Sequence, residues 1–66
     1  MRMKVDKDAD ALYIRFDDAK IVESEEVSDG IILDFDADGR VVGCEMLGVQ
    51  QRFPAADLSR VDVEVA

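Results

Sequence analysis

The chain has no histidine and no tryptophan, and only one cysteine (Cys44), one proline (Pro54) and one tyrosine (Tyr13) in 66 residues. Each shortage excludes something. Without histidine, the usual Cys/His zinc sites and the commonest general base are both missing. One thiol cannot close an internal disulfide, and an unpaired thiol suits a reducing cytoplasm, the expected compartment. A nucleophilic Cys44 would want a neighbouring histidine-like base, so Cys44 is read as a small packed hydrophobe. No apolar run approaches the roughly twenty residues of a membrane span, and Met1-Arg2-Met3-Lys4-Val5-Asp6 lacks a signal-peptide core. Basic residues are scarce as well: eight against sixteen acids, a net charge of −8. That balance repels nucleic acid and anionic membranes, so neither is expected as a partner. It attracts basic proteins and cations, although solubility is its plainest use.

What the chain does have is period-two alternation. Met3 to Val5 predicts a short strand, and Asp6-Lys7-Asp8-Ala9-Asp10-Ala11 a solvated turn in which the Asp6 carboxylate caps free N–H groups. Leu12-Tyr13-Ile14-Arg15-Phe16 alternates as a half-buried strand. After the turn Asp17-Asp18-Ala19-Lys20, residues Ile21 to Ser28 read as an exposed edge strand crowded by Glu23, Glu25 and Glu26. Asp29-Gly30 is a two-residue hairpin signal in which the glycine, and usually the aspartate, takes positive φ. Ile31 to Asp36 is the best strand, Ala37-Asp38-Gly39 turns the chain, and Arg40 to Gly48 returns as another. Pro54 stands at a plausible first helical position, predicting a short helix over about 55–60. Val61-Asp62-Val63-Glu64-Val65 alternates as a final strand, with helical continuation as the competing reading. The expected fold is α+β and mostly β: one domain, 1–66, an antiparallel meander of four to five strands (1–50) and a helix/strand tail (51–66).

Asp34-Phe35-Asp36-Ala37-Asp38-Gly39, with Glu45 six residues on, also satisfies the spacing of a calcium loop: acids at one, three and five, glycine at six, glutamate at twelve. The flanks argue against it. An EF-hand loop joins two helices, whereas Ile31–Phe35 and Val41–Leu47 are β-branched and apolar, and Gly43 disfavours a helix. In a hairpin with Asp36 opposite Arg40 and Phe35 opposite Val41, Ile31 faces Glu45. Ile31, Leu33, Phe35, Val41 and Leu47 then share one face. Asp34 and Asp36 lie on the other with Arg40, Val42, Cys44 and Met46. Glu45 projects away from Asp34 and Asp36, about 13 Å along the strand from Val41. Gly39 is accounted for as the left-handed residue of a bulged turn. Glu45 itself is expected at an edge reaching water; Arg15 or Tyr13 would partner it if it were buried.

Three blocks carry a family resemblance: Asp8-Ala9-Asp10-Ala11-Leu12-Tyr13-Ile14, then Glu25-Glu26-Val27-Ser28-Asp29-Gly30-Ile31-Ile32-Leu33-Asp34-Phe35-Asp36, then Asp38-Gly39-Arg40-Val41-Val42-Gly43-Cys44-Glu45-Met46-Leu47. In order and spacing they resemble the small prokaryotic family catalogued as domain of unknown function 2283, over roughly residues 3–50. Val5, Lys7 and Cys44 depart from the residues common there, which touches turn and packing chemistry. The resemblance implies a compact, mostly antiparallel domain with no catalytic residues to carry over. From the toxin-like proteins encoded beside some members, it also implies an antitoxin-like role.

The functional expectation is therefore a non-enzymatic protein-interaction module, with Glu23, Glu25 and Glu26 as its surface and a basic protein, such as a small toxin, as its partner. A domain this short buries only about 60% of its unfolded surface, so a homo-oligomer, most simply a dimer, is expected. No cofactor is expected. Two alternatives stand: a weak cation-binding module using Asp34, Asp36 and Asp38, and a small enzyme with a carboxylate site at a dimer interface.

Overall fold

The alternating segments become five strands in the computed structural model, which describes residues 1–66. They are β1 (Arg2–Asp6), β2 (Ala11–Arg15), β3 (Glu23–Ser28), β4 (Ile31–Phe35) and β5 (Val41–Leu47). All pair antiparallel in one sheet of order β1-β2-β5-β4-β3. The expected mostly-β antiparallel architecture is thus present. Its strand order adds something the local pattern does not carry: β5, last in sequence, is central in space. Residues 16–22 must therefore travel from β2 to the far edge. The Phe16 N–H donates to Val42 O at 2.8 Å and the Val22 N–H to Phe35 O at 2.9 Å, fixing both ends of the crossing. The Arg15 guanidinium holds its middle, donating to Asp17 O at 2.6 Å and Ala19 O at 2.5 Å.

Turn chemistry explains the local geometry. Asp6 Oδ1 accepts from the Ala9 N–H at 3.0 Å, as expected of a capping aspartate. At Asp29-Gly30 only the glycine lies at positive φ, +74°, so the aspartate departs from the expected conformation. A turn of that kind matches strand twist less well than one with both residues left-handed, and a bulge between Glu26 and Ser28 absorbs the difference. Between β4 and β5, Gly39 takes φ +78°, and the Asp36 N–H donates to Arg40 O at 3.0 Å.

A second bulge, between Val41 and Gly43, corrects the expected register of this hairpin. Phe35 does pair with Val41, but Asp34 pairs with Gly43, Leu33 with Cys44, Ile32 with Glu45 and Ile31 with Met46. One extra residue, Val42, flips everything beyond it to the opposite face. Cys44 and Met46 therefore share a face with Leu33 and Ile31, and Glu45 and Leu47 change sides. One face of the sheet is consequently apolar, carrying Met3, Val5, Leu12, Ile14, Ile31, Leu33, Phe35, Cys44 and Met46. The other is polar, with Arg2, Lys4, Tyr13, Arg15, Asp34, Glu45 and, on β3, Ser24 and Glu26.

The only helix is α1 (Val49–Arg52), a single turn. It corrects the expected helix at 55–60. Phe53 is its C-cap with φ −129° and ψ 80°, outside the helical region that a following proline disfavours, so Pro54 marks a stop rather than a start. Residues 61–65 form no strand. Gly48, at φ +66°, offers α1 no side-chain cap, and the β1–β2 turn supplies one instead. Asp10 O accepts from the Val49 N–H at 3.0 Å, and Asp10 Oδ1 accepts from the Gln50 N–H at 2.8 Å. Asp10 adopts φ +52° to do so, a region that few non-glycine residues visit. At the other end, Arg52 donates to Leu47 O at 2.9 Å and also to Asp29 O. The helix thus seals the end of the sheet where both hairpin turns meet. Only three apolar side chains are buried: Ala11, Val42 and Val49.

Candidate functional site

The polar face converges on one carboxylate. Asp34, in β4, accepts from the Tyr13 hydroxyl at 2.6 Å on one oxygen and from the Ser24 hydroxyl at 2.5 Å on the other. Tyr13 stands in β2, two strands away, and is paired across the ladder with Glu45. Its ring leans along the strand and passes over Gly43 of β5 to reach Asp34. A Cβ placed on Gly43 would lie 3.1 Å from Tyr13 Cζ, 2.9 Å from Asp34 Oδ2, and closer still to the Tyr13 oxygen. Gly43 has no positive φ, so it is glycine for space: a strand glycine marks a close approach. Tyr13, Gly43, Asp34 and Ser24 sit on four successive strands. The cluster is a strap across β2, β5, β4 and β3.

The hydrogen bond to Asp34, and then partial burial, push the Tyr13 phenol above its ordinary value of 10.0, with Arg15 opposing. Because the folded value exceeds the unfolded one, the stabilisation is complete below about pH 10 and is lost as pH rises through the folded value. With one tyrosine and no tryptophan in the chain, phenolate absorbance reports this group alone. The titration midpoint should lie above 10 in the folded protein and return to about 10 in denaturant. A midpoint at or below 10 in the folded state would contradict the geometry.

The three acids of the calcium pattern are not brought together. Asp34 belongs to the strap. Asp36 turns into its own hairpin loop, where its carboxylate accepts from Arg40 N at 2.9 Å, Arg40 Nε at 2.8 Å and Asp38 N at 3.0 Å. The Arg40 N–H first, and then its guanidinium, hold the Asp36 carboxyl below the ordinary carboxylate range against the opposing effect of burial. Asp38 is exposed, and no three acidic or thiol side chains converge in a manner that could hold a metal ion.

Glu45 is not at an edge. It lies half-buried in the central strand, on the same face as Asp34 and opposite Ile32, which corrects its expected position. The central place of β5 takes it away from an edge, and the bulge at Val42 sets its face. Tyr13 is its direct neighbour, yet the phenol donates to Asp34 instead. Cys44 is half-buried on the apolar face. Glu23, Glu25 and Glu26 are all exposed, as is every residue of β3. Glu23 and Glu25 fringe the apolar face, and Glu26 fringes the polar one. At the opposite edge, Arg2, Met3, Lys4, Tyr13 and Arg15 line a shallow hollow of about 340 Å³, a local concentration of cations on an acidic chain. Arg2 is engaged with Asp18 at 3.2 Å and Arg15 with backbone carbonyls.

Fold and cluster define a small single-sheet domain whose polar strap is satisfied by its own hydrogen bonds. The chain belongs to the family described as "Protein of unknown function (DUF2283)", which it matches over residues 2–50. The resemblance read over residues 3–50 is thereby confirmed, and the match ends inside α1. Neither a curated protein nor a solved structure matches the chain. No helix is long and apolar enough to cross a membrane.

Proposed function

We propose that this chain is a non-enzymatic protein-interaction module that docks a basic partner along β3. The observation that supports it is the edge itself. β3 is six residues long, exposed throughout, and pairs only with β4, so its outer N–H and C=O groups face solvent. An extended partner segment adds to such an edge by main-chain hydrogen bonds. Glu23, Glu25 and Glu26 select a cationic segment and reject an acidic one. The polar strap supports the non-enzymatic part of the reading, since both Asp34 oxygens already accept hydrogen bonds from hydroxyls within the fold. A small basic toxin-like protein is the partner class that the family resemblance suggests.

The test is affinity purification of the tagged chain from its own host, with a Glu25→Lys/Glu26→Lys variant in parallel. The expected result is a stoichiometric basic protein that is released by salt at about 0.5 M and absent from the charge-reversed sample. Recovery of the same proteins by both samples, or of the chain alone, overturns the reading.

A further inference from the structure

We infer that two copies of this chain pair through the apolar face of the sheet, with the twofold axis running along β5. The inference uses a different surface from the β3 edge and stands without it. The accessible surface of the chain is 5065 Å². A folded monomer of 7.3 kDa should expose about 4,200 Å². The excess, roughly 900 Å², is of the order that one partner contributes to an interface of standard size, about 800 Å². The exposed residues 61–66 carry part of it, and the half-buried sheet face contributes as well. Leu12, Ile14, Ile31, Leu33, Phe35, Cys44 and Met46 occupy the three central strands on one side, and not one of them is buried.

Charge decides the occupant and its orientation. A symmetric dimer could also form by joining like edges. Joining β3 to β3 would set Glu23, Glu25 and Glu26 against themselves, and joining β1 to β1 would do the same to Arg2 and Lys4. Both edges are therefore guarded against their own copies, while the face between them carries no charge on β2, β5 or β4. Within a face-to-face pair, a twofold axis running across the strands would stack the Glu23–Glu25 row on its counterpart. An axis along the strands avoids this. It sends the two acidic rows to opposite sides of the dimer, each beside the partner's β1, which turns Met3 and Val5 to this face and brings no further acid against them. β5 then lies on the axis, and Cys44 and Met46 meet their symmetry mates across a sheet separation of about 10 Å. The outer edge of β3 stays open in this arrangement.

Sedimentation velocity and thiol cross-linking test the proposal together. At 100 µM the wild-type chain should sediment at twice 7.3 kDa. Leu33→Lys, on the apolar face, should halve that mass, whereas Ile32→Lys, the next residue but on the polar face, should leave it unchanged. Circular dichroism reports whether each variant keeps its sheet. Should Leu33→Lys not fold, the wild type alone decides: the two Cys44 side chains each reach inward from backbones about 10 Å apart, so a bifunctional thiol reagent spanning roughly 5 Å should join them and give a covalent dimer. A wild-type monomer, an equal mass loss in Ile32→Lys, or no cross-linked dimer at Cys44 overturns the proposal.

Discussion

Replacing Gly43 by alanine lowers the melting temperature by about 10–20 °C, a loss of roughly 2–3 kcal/mol. The sign is what makes this result informative. By strand propensity, exchanging an interior glycine for a residue with a side chain should be neutral or favourable, on a scale spanning about 1 kcal/mol. Here the new methyl has no room. It meets the Tyr13 phenol from one side and Asp34 Oδ2 at 2.9 Å from the other. Backbone cannot absorb the clash, because β5 is held by β2 and β4 on both flanks. The Tyr13 ring must lift, and the bond to Asp34 breaks. Tyr13→Phe removes the atom nearest the intruding methyl, so the double variant should lose less than the two single losses summed. Thermal melts of the four proteins measure that coupling. Additive losses would place the cost of Gly43→Ala somewhere other than the strap.

Asp34→Ala is expected to cost about 2–4 kcal/mol. Two hydroxyls lose a charged acceptor, and hydrogen bonds to a charged group are worth about 1.5–3 kcal/mol each, reduced here because water reaches the half-buried site. Asp34→Asn retains one carbonyl oxygen and should cost about half as much. The Tyr13 titration separates this loss from general loosening. In folded Asp34→Ala the phenol midpoint should fall back towards 10, since the largest cause of its elevation is gone. A midpoint that stays elevated while stability drops would assign the shift to burial instead.

The strands are legible in the sequence because period-two alternation and turn residues are both local. Leu12–Phe16 and Ile31–Phe35 announce themselves, and Asp36-Ala37-Asp38-Gly39 announces the loop between β4 and β5. Spatial order is not local, so nothing near Arg40–Gly48 says that this segment is inserted between β2 and β4. The bulge at Val42 leaves no compositional mark, yet it moves Cys44, Glu45, Met46 and Leu47 to the faces opposite those expected. Pro54 is ambiguous by nature, since proline follows one helix as readily as it opens another. The strap lies outside the expected sites although its signal is in the sequence. Gly43 in the middle of a strand argued against a helix, but a strand glycine also marks a close approach by another group. The aromatic residue on that side of β2 was Tyr13, and the facing acid was Asp34.

The position of β5 also sets when this protein can fold. The hairpins β1–β2 and β3–β4 share no ladder with one another; β5 joins them, and the Tyr13–Asp34 bond reaches across it. A two-stranded hairpin is marginal in water by itself. During synthesis the first forty residues therefore amount to two loosely formed pairs joined by a tether, residues 16–22. Val41–Leu47 converts them into one sheet in a single step, closing both ladders and delivering Gly43 beneath Tyr13. The strap bond from Tyr13 to Asp34 spans 21 residues along the chain, and it cannot be bridged through the sheet until its middle strand arrives. The ribosome must release the residues up to about Leu47 before cooperative structure exists, so a nascent chain stalled earlier is as exposed to proteolysis as an unfolded one.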